Sequence, residues 1–398
     1  MSDYICFEIQ QEIIKRLPVK SLIQFRSVCK AWKSLIDSSE FIAGYTIPHT
    51  QPRHLPIKYE LKDRQETEVK CVCFVDDDTF PHQKFAPTVP SLLEELHQSR
   101  IIDSSHGLLC FYGRYHRKQR DSCLNAVTDM ALVWNPSLRK SIAVVVPNVL
   151  KPFSSVIGFG VCRGTGDPML IRVSYISIWV KSTRISCIPW QVMVFTLSSG
   201  EWTSLCGNLP RKSLVFTWSS AVIGQFIYWF AFDRFEDDGR LEFRNLIVSF
   251  DMGTKEFSEI QLPDSLADIG SLFHQPELAF TISRLRESLV VLEYSSNTTE
   301  LQVCGVWMME HGDPKSFTKL FTIKAPDARI KRTLGFSKSG KPPTFAVYEP
   351  CSEHVKDLEI SATEDSVFVN SYTESLLLLN EEDERVYSVM ASLQSVEL

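Results

Sequence analysis

The chain has 398 residues, 44% hydrophobic and 23% charged, with a formal net charge of −6. That length exceeds what one core usually supports, so a small module beside a larger domain is expected, with ample apolar material for a core. The acidic balance disfavours a general nucleic-acid binder, which needs a basic field.

Asp3, Glu8 and Glu12 interrupt the N-terminal stretch, so it does not read as a signal peptide. No apolar run reaches the roughly eighteen residues of a membrane span, and none is expected. Ile5, Ile9, Ile13 and Leu17 recur every four residues, and Phe25, Val28, Cys29, Trp32, Leu35 and Ile36 also follow a helical period. Pro18 has no N–H to donate and disfavours helical geometry at Leu17, so it separates the two runs. A segment this short and this apolar cannot bury itself, which predicts docking on a partner.

From about Tyr45 the pattern changes to short runs rich in Val, Ile, Phe, Tyr and Trp, bounded by turn residues. VKCVCFV (69–75), GLLCFY (107–112), VMVFTL (192–197), QFIYWFAF (225–232), LIVSFD (246–251) and SLVVLEY (288–294) read as strands. Ser199-Gly200, Met252-Gly253-Thr254 and Ser339-Gly340 offer the positive φ of tight turns. One helix is predicted here, SLLEELHQ at 91–98, capped by Ser91 after Pro90.

VFTLSSGEWTSL (194–205) and VSFDMGTKEFSEIQLP (248–263) share one plan: an apolar strand, a polar turn, then an aromatic-bearing strand. ALVWNPSLRKSIAVVVP (131–147) and LLLNEEDERVYSV (377–389) follow it more loosely. Spacings of about 50–60 residues predict four-stranded blades of a kelch-like β-propeller, with six blades suggested and a β-sandwich as the alternative fold.

No catalytic constellation stands out. Nine histidines include no HExxH, and no G-x-S-x-G elbow precedes a helix. GFGVCRGTGDP (158–168) lacks the third glycine of a dinucleotide fingerprint, since position 163 is Arg, and reads as a hairpin turn. Eleven scattered cysteines, without a CxxC pair, suggest reduced thiols used as small core residues in a cytoplasmic or nuclear protein. Asp76–Asp78 and Glu381–Glu384 read as solvated turns rather than metal sites, and His106 beside Gly107 as a turn residue. No cofactor and no metal is expected, nor an enzyme on the propeller scaffold.

GRYHRKQRD (113–121) is the sharpest basic cluster. A polar hairpin tip describes its structure; Arg114, Tyr115, Arg117, Lys118 and Arg120 are the candidates there for gripping an acidic or phosphorylated target. Trp179, Trp190 and Trp218 serve either a recognition patch or blade packing.

RLPVKSL (16–22), FRSVCKAW (25–32) and SLI (34–36) resemble the F-box, a three-helix module, over about residues 4–42. Tyr4-Ile5-Cys6-Phe7 stands where that family usually opens with Leu-Pro. HGLLCF (106–111), VWNPSLRK (133–140), GFG (158–160), VFTLSSGEW (194–202) and GQFIYW (224–229) resemble, in order, the plant F-box-associated domain of the type-one, kelch-related class. SFD (249–251), LP (262–263), VWMM (306–309), SFTKLFTI (316–323) and LGFSKSGK (334–341) continue the series. The division expected is an F-box over 1–44, a connector with first strands over 45–99, the β domain over 100–390 and a tail over 391–398.

The resemblance implies a substrate receptor of a Skp–cullin–F-box ubiquitin ligase. Its helices would dock on a Skp-type adaptor, and through it on a cullin, while the β domain recruits an unknown target protein. A glycan-binding β domain or a non-ubiquitin scaffold is the alternative; neither nucleic acid nor membrane is an expected partner. Ile9, Ile13, Leu17, Pro18, Leu22, Phe25, Val28 and Trp32 are the candidate adaptor contacts, rimmed by Lys15, Arg16, Lys20, Lys30 and Lys33. Trp32 and Leu35 fit equally well a contact of the third helix on the first, and Pro18 also sets the inter-helix turn.

Overall fold

The computed structural model describes residues 5–45, 53–62, 67–76, 82–117, 126–148, 153–176, 191–206, 210–211, 213–237, 240–267, 279–296, 302–310, 312, 315–324, 346–349, 354–357, 368–369 and 372–388. Trp179, Trp190, Lys118, Arg120, and the Ser339-Gly340 turn within LGFSKSGK lie outside the described residues.

Four helices open the chain: α1 (Phe7–Ile14), α2 (Val19–Phe25), α3 (Lys30–Ile36) and α4 (Ser39–Gly44). Pro18 is extended (φ −65°, ψ 153°) and hands directly into α2, so the residue that ends one helical run starts the next. Cys29 caps α3 through its sulfur, which accepts from the Trp32 N–H at 3.4 Å. The sequence leads one to expect three helices; the fourth exists because Ser38 Oγ accepts from the Phe41 N–H at 3.2 Å and opens a new turn.

The chain divides into two compact units. One comprises 1–56, 71–146 and 371–388; the other comprises 57–70, 147–370 and 389–398. The first holds the helices and a five-stranded sheet. Its strands, in spatial order, are β23 (Arg385–Tyr387), β7 (Lys140–Val145), β6 (Ala126–Asn135), β5 (Leu108–Arg117) and β4 (Leu96–Ser105). β23 is parallel to β7, with Val386 opposite Ala143, whereas the other pairs are antiparallel. His106 (φ 47°) and Gly107 (φ 77°) form the two-residue turn between β4 and β5, so His106 is the turn residue its sequence setting suggests. A Cβ on Gly107 would lie 2.4 Å from the Thr373 carbonyl oxygen, so only glycine fits there.

The helix predicted at 91–98 is shorter in the structure. α5 (Ser91–Glu95) has no side-chain cap, and Leu96 already pairs with Tyr115 in the ladder. Tertiary strand pairing overrides the helical propensity of His97 and Gln98. β2 (Thr67–Asp76) and β3 (Lys84–Phe85) pair antiparallel, with Cys73 opposite Phe85.

In the second unit three sheets follow one another, each an antiparallel meander completed before the next begins. They are β8 (Phe153–Val161), β9 (Pro168–Ile176), β10 (Gln191–Thr196) and β11 (Trp202–Leu205); then β12 (Leu214–Ile223), β13 (Phe226–Asp237), β14 (Arg240–Asp251) and β15 (Glu256–Gln261); then β16 (Phe280–Leu285), β17 (Ser288–Ser296), β18 (Gln302–Met309) and β19 (Phe317–Lys324). β12, the first strand of its sheet, neighbours both β8 and β16. This serial arrangement is that of propeller blades; a sandwich would shuttle its strands between two sheets. Aromatic side chains pack within and between blades: Phe216 meets Trp229 edge-on at 6.0 Å inside the second blade of this unit, and Phe230 stacks on Phe280 of the next at 5.5 Å. The glycines of GFG belong to this packing, since a Cβ on Gly158 would lie 2.3 Å from the Trp229 ring. The segment 158–168 is the β8–β9 hairpin, as expected.

β1 (Arg53–Lys62) pairs with β22 (Phe368–Val369), Ile57 opposite Val369. β20 (Ala346–Glu349) and β21 (His354–Asp357) form a lone hairpin. Among the described residues this makes five sheets of four or five strands and one of two, so five blades stand where the spacing suggests six. Two further expectations change. The β14–β15 turn places positive φ at Lys255 (60°), and Asp251 Oδ1 accepts from the Gly253 N–H at 2.7 Å. LLLNEEDERVYSV does not repeat the strand–turn–strand plan: Leu377–Asn380 form turns, and only β23 follows.

Candidate functional site

The apolar residues of the helices sort into two sets. Ile14, Val19, Leu22, Ile36 and Phe41 are buried, with Leu22 fully inaccessible. Ile5, Phe7, Ile9, Ile13, Ile23 and Val28 are exposed, Val28 at 61%. These six make up over half of the eleven large hydrophobics exposed among the described residues, yet they occupy only residues 5–28. Isolated exposed apolar residues need no explanation, but a concentration like this marks an interaction surface.

Of the sequence-predicted contacts, Ile9, Ile13 and Val28 are exposed, Pro18 is exposed beside them, and Leu17, Phe25 and Trp32 are half-buried. Leu22 is corrected: it points into the helical core and cannot meet a partner. Trp32 lies against Phe25 at 5.2 Å, and its Nε1–H donates to Gln10 Oε1 at 2.9 Å. The indole thus ties α3 to α1. Lys15, Arg16, Lys20, Lys30 and Lys33 are all exposed around this face. Ile5, Phe7 and Ile23 are exposed as well, beyond the contacts expected from sequence; Phe7 lies two residues before Ile9, on the other side of α1 from the Ile9–Ile13 stripe. Ile5 continues the Ile9–Ile13 stripe at i−4 and is legible there; Ile23 lies one helical step from Leu22, and the period alone does not say which of the two faces water.

The buried set does not close on itself. Leu376 and Leu379 complete its core, with Leu138 packed at the flank. Glu374 Oε2 accepts from the Val19 N–H at 3.4 Å, and Asn380 Nδ2 donates to the Asp37 carbonyl at 2.8 Å. Asp37 also accepts from Arg26 Nε at 2.6 Å. Tyr45 donates its hydroxyl to the Leu17 carbonyl at 2.7 Å. Burial, reinforced by the Glu374 carboxylate, pushes the Tyr45 phenol up to about 12. Burial also holds the Glu374 carboxyl above the ordinary carboxylate range, against the opposing effect of the Val19 N–H.

At the other candidate site, Arg114 is exposed and Tyr115 half-buried on β5, and the His97 and His116 rings meet edge-on at 4.7 Å. Arg117 ends the strand opposite Ala126. Trp218 packs against the blade core. The run Glu381–Glu384 is a turn, as expected, yet it is also a structural connection: Asp383 Oδ1 accepts from the Ser141 N–H at 2.9 Å. Among the described residues no cluster of His, Cys, Asp or Glu is placed to hold a metal ion, and no helix is long and apolar enough to cross a membrane. Cys71, Cys73, Cys110, Cys162 and Cys304 are buried free thiols.

A helical module whose apolar face is left in water, followed by serial four-stranded blades, defines a class. The F-box domain model matches residues 4–43, and that of the F-box associated beta propeller domain matches residues 122–377. The chain therefore belongs to the plant F-box proteins with an F-box-associated β-propeller domain. It is similar to F-box protein CPR1 of Arabidopsis thaliana, 24% identical over 356 residues, covering 84% of this chain and 77% of that protein. F-box protein At3g08750 of the same plant is 23% identical over 327 residues, covering 81% and 74%. Among solved structures, YjhT aligns with 79% of this chain and 96% of its own at 10% identity, with a TM-score of 0.37, too low to establish a shared fold.

Proposed function

We propose that this chain is the substrate-recognition subunit of a Skp–cullin–F-box ubiquitin ligase. The exposed apolar residues Ile5, Ile9, Ile13, Ile23 and Val28 dock on a Skp-type adaptor, which links the chain to a cullin. Pro18 and the exposed edges of Leu17, Phe25 and Trp32 border that contact. The β domain holds a target protein, and Arg114 with the neighbouring basic end of β5 offers a grip for an acidic segment of it. The subunit performs no chemistry of its own. It acts by proximity, raising the effective concentration of the target near a ubiquitin-charged enzyme. Exposed free thiols at Cys6, Cys29 and Cys206 suit the reducing cytoplasm or nucleus.

The observation that carries this reading is the concentration of six exposed large apolar side chains within residues 5–28. Burying such a side chain contributes about 1.5–3 kcal/mol, so a few of them support tight docking. The lysine and arginine rim suits an acidic partner and predicts association that slows with added salt.

The test uses exposed positions only, because a charge at Leu22 would unfold the module. Ile9→Asp with Ile13→Asp is expected to abolish capture by a purified Skp-type adaptor, with the thermal transition of the chain unchanged. Undiminished capture by that double variant would refute docking through this face.

A further inference from the structure

Ile9, Ile13 and Ile23 sit on helices that are too short to stand alone. α1 has eight residues and α2 and α3 have seven each, below the roughly 12–15 at which isolated helices become even marginal in water. Their geometry therefore depends on the core beneath them. That core is finished by Leu376, fully inaccessible, and Leu379, at 3% exposure.

The segment carrying these leucines is itself held in a set conformation. Asn135, completely buried at the end of β6, donates from Nδ2 to the Ser375 carbonyl at 3.0 Å, to Ser375 Oγ at 3.2 Å and to the Leu377 carbonyl at 2.7 Å. Its Oδ1 accepts from the Ser137 and Leu138 N–H groups at 3.0 and 3.3 Å. Lys140 Nζ donates to the Leu379 and Glu381 carbonyls, both at 2.6 Å. Between these anchors Leu378 adopts φ 69°, a conformation a bulky side chain takes only when its surroundings impose it. The strap 372–384 is thus clamped to the β6–β7 hairpin on one side. On the other side Glu374 and Asn380 pin it to the start of α2 and the end of α3.

We propose that Leu376 and Leu379, set in place by Asn135, are positioning residues for adaptor docking: the helices present their apolar face only while the strap is seated beneath them. This rests on the docking reading above. It makes adaptor binding conditional on a folded β sheet, so a chain whose β6–β7 hairpin is broken does not enter the ligase.

The experiment compares the full chain with L376D/L379D, L376M/L379M and E374A/N380A. It measures affinity for a purified Skp-type adaptor and amide hydrogen exchange of α1–α3 and of β12–β14. L376D/L379D is expected to lose adaptor affinity by about 100-fold and protection in α1–α3, with β12–β14 still protected. L376M/L379M, which keeps apolar volume, is expected to bind within about threefold of the parent. If L376D/L379D also exposes β12–β14, the deciding variant becomes E374A/N380A, which removes the two hydrogen bonds to the helices and leaves both leucines in place. E374A/N380A is expected to lose about tenfold in affinity and to exchange faster in α2 and α3. Retained affinity, or unchanged exchange in α1–α3, in the deciding variant overturns the proposal. Should the parent chain itself fail to bind the adaptor, the docking reading falls, and the exchange measurements still decide whether the strap organises the helices.

Discussion

Strands β12–β14 and helices α1–α3 draw on comparably apolar sequence, yet they dispose of it differently. In the strands Ile227, Trp229, Phe230, Phe232, Ile247, Val248 and Phe250 are all at most 1% exposed, each enclosed in the blade cores. In the helices Ile14 and Leu22 are buried while Ile13 and Ile23, one residue away, stand in water. The blades are satisfied by their own repetition. The helices are covered by a strap from the far end of the chain on one face, and their other face is where docking is proposed.

The comparison is most severely tested in the blades. Trp229→Ala is expected to lower unfolding free energy by about 3–5 kcal/mol, because the blade cores cannot collapse onto the space left at Gly158. Urea unfolding followed by tryptophan fluorescence measures it, and a loss below about 1 kcal/mol would show the blades to be looser than their packing implies. The next test sets adjacent residues against each other. Leu22→Ala is expected to cost about 2–4 kcal/mol, and Ile23→Ala to stay within about 0.5 kcal/mol while weakening adaptor binding. Equal costs would erase the distinction between the two helix faces.

Two smaller effects concern the seat itself. Tyr45→Phe removes the hydroxyl bonded to the Leu17 carbonyl and is expected to cost about 1 kcal/mol at neutral pH. The folded phenol titrates at about 12, above its ordinary 10.0, so its contribution is whole below pH 10 and vanishes as pH rises through 12. The parent's advantage over Tyr45→Phe in denaturant midpoint should fade over that interval. Glu374 has the same sign at the acid end. Its folded value lies above the ordinary 4.5, so the stability it lends is present below that value and is lost as pH rises through the folded one. Glu374→Gln keeps an acceptor for Val19 and should gain on the parent in melting temperature as pH is raised from about 4 to about 7. A constant difference across that range would remove Glu374 from the titrating groups.

Much of this is legible in the chain because short-range chemistry decides it. The helical period, Pro18, and the turn at His106-Gly107 each act on neighbouring residues. What the sequence hides is decided at long range. Leu22 looks like an anchor because nothing near it says that Leu376 and Leu379 will cover it. Leu377–Leu379 look like a strand in sequence but form turns, because the carbonyls that would join a ladder are taken instead by Asn135 and Lys140. Asn135 itself reads as an ordinary residue before Pro136, and its three donations across about 240 positions have no local signature.

The hydrogen bond between Val19 and Glu374 spans 355 positions of sequence. During synthesis α1–α3 leave the ribosome first, and at about 5–20 residues per second the strap follows roughly 20–70 s later. Through that interval the core of Ile14, Val19, Leu22 and Ile36 lacks Leu376 and Leu379, which are not yet made. The part of the protein made first is the part completed last.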